Sequence, residues 1–467
     1  MNRLAQFIFL LATLVFVYPA KCFGNALSIP SRTLIQNASL TITMDPSLGE
    51  GKLGLVKNSD LLFDTKILSI GKNLPAGEAK IINGKGKLIL PGFVDVHNHL
   101  WQSLIRGCGA DKELMGWLKE CVSSMKGTVI DEEAAYAGVR ISTLDLLSTG
   151  VTTVVDNSHG FTPQFVRGNL RALEDSRLRY VIALCGKDKE SSIQNILKVK
   201  SEIIDKNHLA SLQICSHPAP KSLSNLKAMS RLSRELNVPF NVHLLESRSQ
   251  IQEKPLALLQ QADALNPRLF VNHAVHVNEE EISLLSEHRV SIAHNPLSNM
   301  RLGSGITPLP KLHSAGLKIG LGLDGGTNDT SDMFGNMRAA VGLQRIRAMN
   351  GTVYPQVEDI LRIATLGGAE ALHMENEIGS LSPGKAADIV VMDALEFNFA
   401  PEWDVVNQIV FNGQPRNVKT VFVEGKALWV EGQPVLKETT RQHLIAKAQK
   451  AVERIKQRLS LIPQDKN

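Results

Sequence analysis

Short apolar runs alternate with amphipathic stretches of helical spacing through the middle of the chain. The runs are Leu88–Val96, Val151–Asp156, Leu178–Cys185, Leu212–Cys215, Phe240–His243, Leu269–His273, Val290–His294 and Leu317–Asp324. Between them lie segments such as Asp131–Ser148, Leu223–Leu236 and Glu279–Glu287, with the three-and-four spacing of a one-sided helix. Strand–helix alternation predicts parallel strands joined by crossover helices. Eight such units argue for a closed barrel over an open doubly wound sheet. Histidines and acids gather at the carboxyl ends of these runs: His97 and His99, Asp156, His217, His243, His273, His294 and Asp324. A closed barrel converges its strand ends on one face, whereas an open sheet spreads them along a line. The expected class is α/β, a (β/α)8 TIM-like barrel.

The flanks read differently. Residues 30–88 and 378–435 carry short β-rich runs, among them Ser39–Ile42, Ile67–Ile70, Asp388–Met392 and Val418–Val423, punctuated by glycines. Neither block is large enough for its own sheet core, so one small β-sandwich domain built from both chain ends is expected. The division that follows is 1–26 signal peptide, 27–88 N-terminal part of the β-sandwich, 89–376 barrel, 377–437 C-terminal part of the β-sandwich, and 438–467 C-terminal helix and tail.

Composition changes the picture only at the start of the chain. Hydrophobic residues make up 43% and charged residues 21%, the balance of a globular protein. Arg3 followed by the apolar stretch Phe7–Val17, with small residues at Gly24 and Ala26, reads as a signal peptide, and the stretch is short for a membrane span. A periplasmic or secreted protein without a stable membrane anchor is expected. The formal charge is +5, of which Arg3 and Lys21 supply two. That excess points to neither nucleic acid nor an anionic membrane surface. Past the signal segment stand Cys108, Cys121, Cys185 and Cys215, too few for a disulfide scaffold, and they are read as buried thiols.

His97 and His99 sit two apart at the end of an apolar run, so in an extended segment both imidazoles face one way and reach one metal. His243 ends another run and is a third nitrogen donor, with Glu246 just beyond it as a proton shuttle. Asp324 closes an apolar run, where an unpaired carboxylate is costly to bury. The alternative at Asp324 is a cap for the following turn. His273 is placed to polarise a carbonyl or leaving group, and His294 to brace a loop. His159, with five other histidines lacking strand-end context, is read as a surface or packing residue. Three imidazoles and a carboxylate suit one divalent metal, Zn2+ with Fe2+ as the alternative, leaving a position open for water. Asp324 would take the water's proton and Glu246 would pass one to the substrate.

At these residues the chain resembles the amidohydrolase superfamily. The motifs are Pro91–His99, Thr149–Asp156, His243–Glu246, Asn272–Val277, Ala293–Asn299 and Gly322–Asn328, in order along the chain. It is most similar to the branch of adenosylhomocysteine/methylthioadenosine deaminases, guanine deaminases and s-triazine hydrolases. The resemblance implies His97, His99, His243 and Asp324 as ligands of one metal, usually zinc, and Glu246 and His273 as catalytic partners. Two-metal members have a carboxylated lysine at the end of the fourth strand, where this chain has Cys215-Ser216-His217. The resemblance further implies His217 and Gln102 as substrate contacts. Trp101 and Arg106 are weaker candidates, the first for stacking and the second for a polar or anionic substituent.

The expected function is release of ammonia or an amine from an sp2 carbon of a nitrogen heterocycle by a metal-activated water. The alternatives are hydrolysis of a cyclic amide or of a C–Cl bond at the same site, or a binding protein without turnover. The expected partner is a small heterocyclic molecule, and a homodimer is compatible with this class of protein.

Overall fold

The computed structural model describes residues 32–125, 129–328, 330–436 and 440–460. The expected signal peptide, Met1–Ala26, lies outside the described residues. The N-terminal block forms β1 (Thr33–Ile42), β2 (Leu55–Phe63), β3 (Ile67–Gly71), β4 (Lys80–Asn83) and β5 (Lys87–Pro91). The middle forms β6 (Phe93–Asn98), β7 (Val151–Ser158), β8 (Arg179–Cys185), β9 (Ala210–Cys215), β10 (Phe240–Leu244), β11 (Leu269–His273), β12 (Ser291–His294) and β13 (Lys318–Leu321). The C-terminal block adds β14 (Ile389–Asp393), β15 (Val418–Val423), β16 (Lys426–Val430) and β17 (Gln433–Pro434).

Strands β6 to β13 pair in sequence order as one eight-stranded parallel sheet. The chain just past β13 turns back against β6. Leu323 N and Asp324 N donate to the His97 carbonyl at 3.0 and 2.8 Å, and Leu323 N also reaches Asp95 Oδ1 at 3.0 Å. These bonds bring the two ends of the sheet together in a near-closed barrel. Helices cover it outside, and the sequence pattern accounts for their ends. Asp131 caps Glu132–Ser148 by accepting from Ala134 N, and Asn237 ends Leu223–Leu236 in the left-handed region.

The two chain ends join in one nine-stranded mixed sheet, because β14 pairs antiparallel with β5. The run Leu88–Val96 is thereby divided: β5 belongs to this sheet and β6 to the barrel. The break falls at Gly92, where a Cβ would collide with the Thr152 side chain, so only glycine passes that close to β7. Arg179 at the start of β8 pairs with Asp388 and Glu424, each at 3.3 Å, and fastens barrel to sheet with a buried guanidinium. The helix Arg441–Ser460 buries Leu444, Ala451 and Ile455, and its Arg458 pairs with Asp131 at 2.7 Å. Burying Leu444 and Ile455 contributes roughly 1.5–3 kcal/mol each. Among the described residues, no helix is long and apolar enough to cross a membrane.

The cysteines depart from the expectation of free thiols. Cys108 is bonded to Cys121 and Cys185 to Cys215. Cys185 and Cys215 are 30 residues apart in sequence but stand opposite each other in the register of β8 and β9. Both cysteines end consecutive runs of the sequence pattern, and the register of β8 against β9 is what sets them face to face.

Candidate active site

The strand ends meet around Asp324. His97 is held on a wholly buried strand, and its Nε2 lies 3.0 Å from Asp324 Oδ1. His99 Nε2 lies 3.4 Å from the same oxygen. His99 Nδ1 donates to the Asn157 carbonyl at 2.7 Å, which turns its Nε2 lone pair inward, and the Asn157 amide contacts His97 Nδ1 at 2.7 Å. The His243 ring stands 4.8 Å from that of His97 and 5.5 Å from that of His99, stacked on the latter. His273 ends β11 at φ +74°, a left-handed conformation uncommon outside glycine. Its Nδ1 lies 3.1 Å from Asn299 Oδ1, and its Nε2 lies 3.7 Å from Glu246 Oε2 and 3.8 Å from Asp324 Oδ2. One donor atom each from His97, His243, His273 and Asp324 lies within 4.8 Å of the others. His273 therefore stands among these donor atoms, although the sequence reading assigns it a catalytic role and does not count it as a ligand.

Asp324 is positioned from several sides. It too has a left-handed backbone, at φ +56°, and Gly322 before it leaves no room for a Cβ between His97 and Asn295. Its carboxylate does not cap the following turn, which disposes of the capping alternative. Instead Ser298 Oγ donates to Asp324 Oδ2 at 2.6 Å, leaving Oδ1 facing His97 and His99. Ser298 lies inside the Ala293–Asn299 motif, but nothing in its spacing signals this bond.

The electrostatics fit a cation. Burial pushes His97 down to about 4 and lowers His99 and, further, His243, so these rings are neutral at pH 7 and offer lone pairs. Burial alone would raise Asp324, but the facing rings of His97, His273 and His99 outweigh it and hold the carboxyl well below the usual carboxylate range. His97 Nε2 and His273 Nε2 are buried with no hydrogen-bond partner. Neutral inward-facing imidazoles, an ionised carboxylate and buried nitrogens awaiting a partner form a donor set that fits one divalent metal. Burial raises Glu246 to about 7, the range in which a carboxyl both holds and gives up a proton near neutrality.

Glu246, His217 and Gln102 line a cavity of about 350 Å3 above this group. Gln102 Oε1 accepts from Gly326 N at 3.0 Å, so the amide nitrogen is the end left for a ligand. Sequence reasoning missed His159, which lines the same cavity with its ring tilted against that of His99, 4.7 Å away. It stands one residue past β7, and that strand-end position was its signal. Trp101 is not among the described lining residues. It lies behind His159, and its Nε1 donates to His159 Nδ1 at 3.0 Å, leaving His159 Nε2 to carry the ring proton. The structure does not bring Arg106 to the cavity either, because its guanidinium pairs with Asp145 at 2.7 Å. His294 was expected to brace a loop. Both its ring nitrogens are buried without a hydrogen bond, so the donor role that such a brace needs is not found among the described residues.

The family model described as the amidohydrolase family matches residues 88–428, the whole barrel and most of the C-terminal sheet strands. The chain belongs to the amidohydrolase family. This amidohydrolase is 31% identical over 445 residues to a 5-methylthioadenosine/S-adenosylhomocysteine deaminase of Syntrophomonas wolfei, covering 91% of this chain and 99% of the relative. It is 29% identical to a 5'-deoxyadenosine deaminase of Methanobrevibacter smithii, covering 86% and 94% of the two chains. Among solved structures it resembles an adenosine deaminase of Xanthomonas campestris with bound zinc, with a TM-score of 0.83, 26% identity and 92% and 99% coverage. It is a hydrolase acting on carbon–nitrogen bonds, and its family is metal-dependent.

Proposed function

We propose that this amidohydrolase is an exported, zinc-dependent aminohydrolase that releases ammonia from an amino-substituted nitrogen heterocycle. The observation that carries the reading is the convergence of neutral imidazoles on an ionised Asp324 at the floor of a cavity that also holds a protonatable Glu246. His97, His99, His243 and Asp324 would hold the metal, and this mixture of imidazole and carboxylate favours zinc. A divalent ion there supplies Lewis acidity that makes water a competent nucleophile near neutral pH.

The remaining work falls to the chain. Asp324, oriented by Ser298, accepts the proton of the attacking water. Glu246 delivers a proton to a ring nitrogen as the water oxygen adds to the adjacent sp2 carbon. His273, between Glu246 and Asp324, stabilises the oxygen substituent as the carbon becomes tetrahedral. The C–N bond then breaks as Asp324 passes the water's proton to the departing nitrogen and the new hydroxyl returns a proton to Glu246, and ammonia leaves an oxo-substituted ring. Export is supported by Arg3 and the apolar Phe7–Val17, and by two disulfides, which persist in oxidising compartments.

The test is metal analysis of the purified chain together with a panel of aminopurines, aminopterins and s-triazines, assayed for ammonia and for the oxo product. Stoichiometric ammonia from at least one ring class, lost on chelation and restored by zinc, is the expected result. Ring opening or chloride release without ammonia would replace this reading with hydrolysis of a cyclic amide or of a C–Cl bond.

A further inference from the structure

The cavity's roof is chemically unlike its floor. The floor is imidazole and carboxylate, whereas the roof comes from the short helical turns Leu114–Trp117 and Leu118–Val122. Leu114, Met115, Trp117, Leu118 and Val122 turn an almost unbroken apolar surface onto the cavity. The Cys108–Cys121 disulfide closes this segment on itself, and Arg301 Nη2 donates to the Cys108 carbonyl at 3.2 Å, tying it to the helix Pro296–Arg301. A stapled segment of this kind presents its apolar side chains without first paying to order them.

Charge points the same way. Among the described residues lining the cavity there is no lysine or arginine, and the ionised groups it presents are carboxylates. On the N-terminal side of the roof, Lys112 pairs with Glu120 at 3.5 Å and Arg106 with Asp145 at 2.7 Å, and neither lines the cavity. A ligand carboxylate or phosphate packed beneath this roof would be desolvated against apolar side chains, with no lysine or arginine among the described lining residues to offset the loss of water.

Resting on the aminohydrolase reading, we propose that the cavity takes an uncharged nitrogen heterocycle bearing an apolar substituent, which packs beneath the stapled roof, and rejects the same ring bearing an anionic or zwitterionic tail. The ring meets donors from Gln102 Nε2 and His159 Nε2, and the roof reads the substituent by area and not by hydrogen bonds. Discrimination between matched neutral and charged ligands is roughly a hundredfold or more, the scale on which a charged group buried without a partner is penalised.

The experiment compares 5'-methylthioadenosine with S-adenosylhomocysteine, and a dialkylamino-s-triazine with its carboxyalkyl counterpart, on the zinc-loaded full chain. Binding is read by calorimetry and turnover by ammonia release. Tighter binding of the neutral member in whichever pair binds supports the proposal. Equal or tighter binding of the charged member overturns it and leaves the aminohydrolase reading standing. Selective binding of neutral ligands with no ammonia from any ring overturns the aminohydrolase reading and leaves the roof's selectivity standing. No binding by any neutral member overturns the proposal outright. Met115→Lys gives a second readout at a side chain that is 57% exposed and so places little burden on folding. It is expected to narrow the preference at least about fivefold by improving binding of the carboxylate, and an unchanged ratio counts against a substituent beneath the roof.

Discussion

Replacing Ser298 by alanine tests how the site is held together. Ser298 is buried, and its hydroxyl donates to Asp324 Oδ2 at 2.6 Å while Oδ1 faces His97 at 3.0 Å and His99 at 3.4 Å. The substitution removes one charge-assisted hydrogen bond and little volume, so the fold is expected to survive. A hydrogen bond to a charged group is worth about 1.5–3 kcal/mol. With tenfold in affinity per 1.4 kcal/mol, its loss translates to roughly ten- to hundredfold weaker zinc binding, because the carboxylate is no longer fixed in its ligating orientation. The assay is competition for zinc against a chromophoric chelator, with circular dichroism as a control for folding. Ser298→Thr keeps the hydroxyl donor and is expected to stay within about threefold of the parent, a cost of about 0.7 kcal/mol or less. A Ser298→Ala protein that binds zinc within about twofold of the parent and hydrolyses at the parental rate would refute the argument that Ser298 orients Asp324.

Glu246→Gln is expected to keep its zinc and lose about a hundredfold or more in kcat, the usual weight of a general acid–base group, and full retained turnover in a steady-state assay would remove Glu246 from the mechanism. Asp156 accepts from Leu100 N at 3.1 Å inside the barrel wall, and burial raises it to about 7. A folded-state value above the unfolded one means the native state holds the extra proton, so stability is full below pH 4 and falls as pH rises towards 7, by about 4 kcal/mol at most for a shift of this size. Asp156→Asn should flatten that dependence in urea melts run across the interval, and a parental slope in the variant would show that Asp156 does not cause it. Asp388→Ala strands the buried Arg179 guanidinium with Glu424 alone, and a loss of about 3 kcal/mol or more in chemical denaturation is expected, against the alternative of an unchanged midpoint.

Local order along the chain carried most of the fold. Alternation of apolar and polar residues is set by the backbone's own periodicities, so the eight barrel strands and the helices Leu223–Leu236 and Glu279–Glu287 were legible with hardly any knowledge of their neighbours. The strand-end positions of His97, His99, His243, His273 and Asp324 were legible for the same reason, because a barrel gathers all its carboxyl ends at one face.

Tertiary structure decided what depends on which side chains become neighbours across long sequence separations. Strand pairing placed Cys185 opposite Cys215 and made a disulfide from two residues read as thiols. Asp145 took Arg106 away from the cavity, Trp101 became the partner of His159, and Ser298 became the partner of Asp324. A hydrogen bond or ion pair needs its two atoms within about 3 Å, a condition that periodicity along one element does not encode. The amino-acid order thus determined where donors emerge from the barrel, and folding determined which of them face one another.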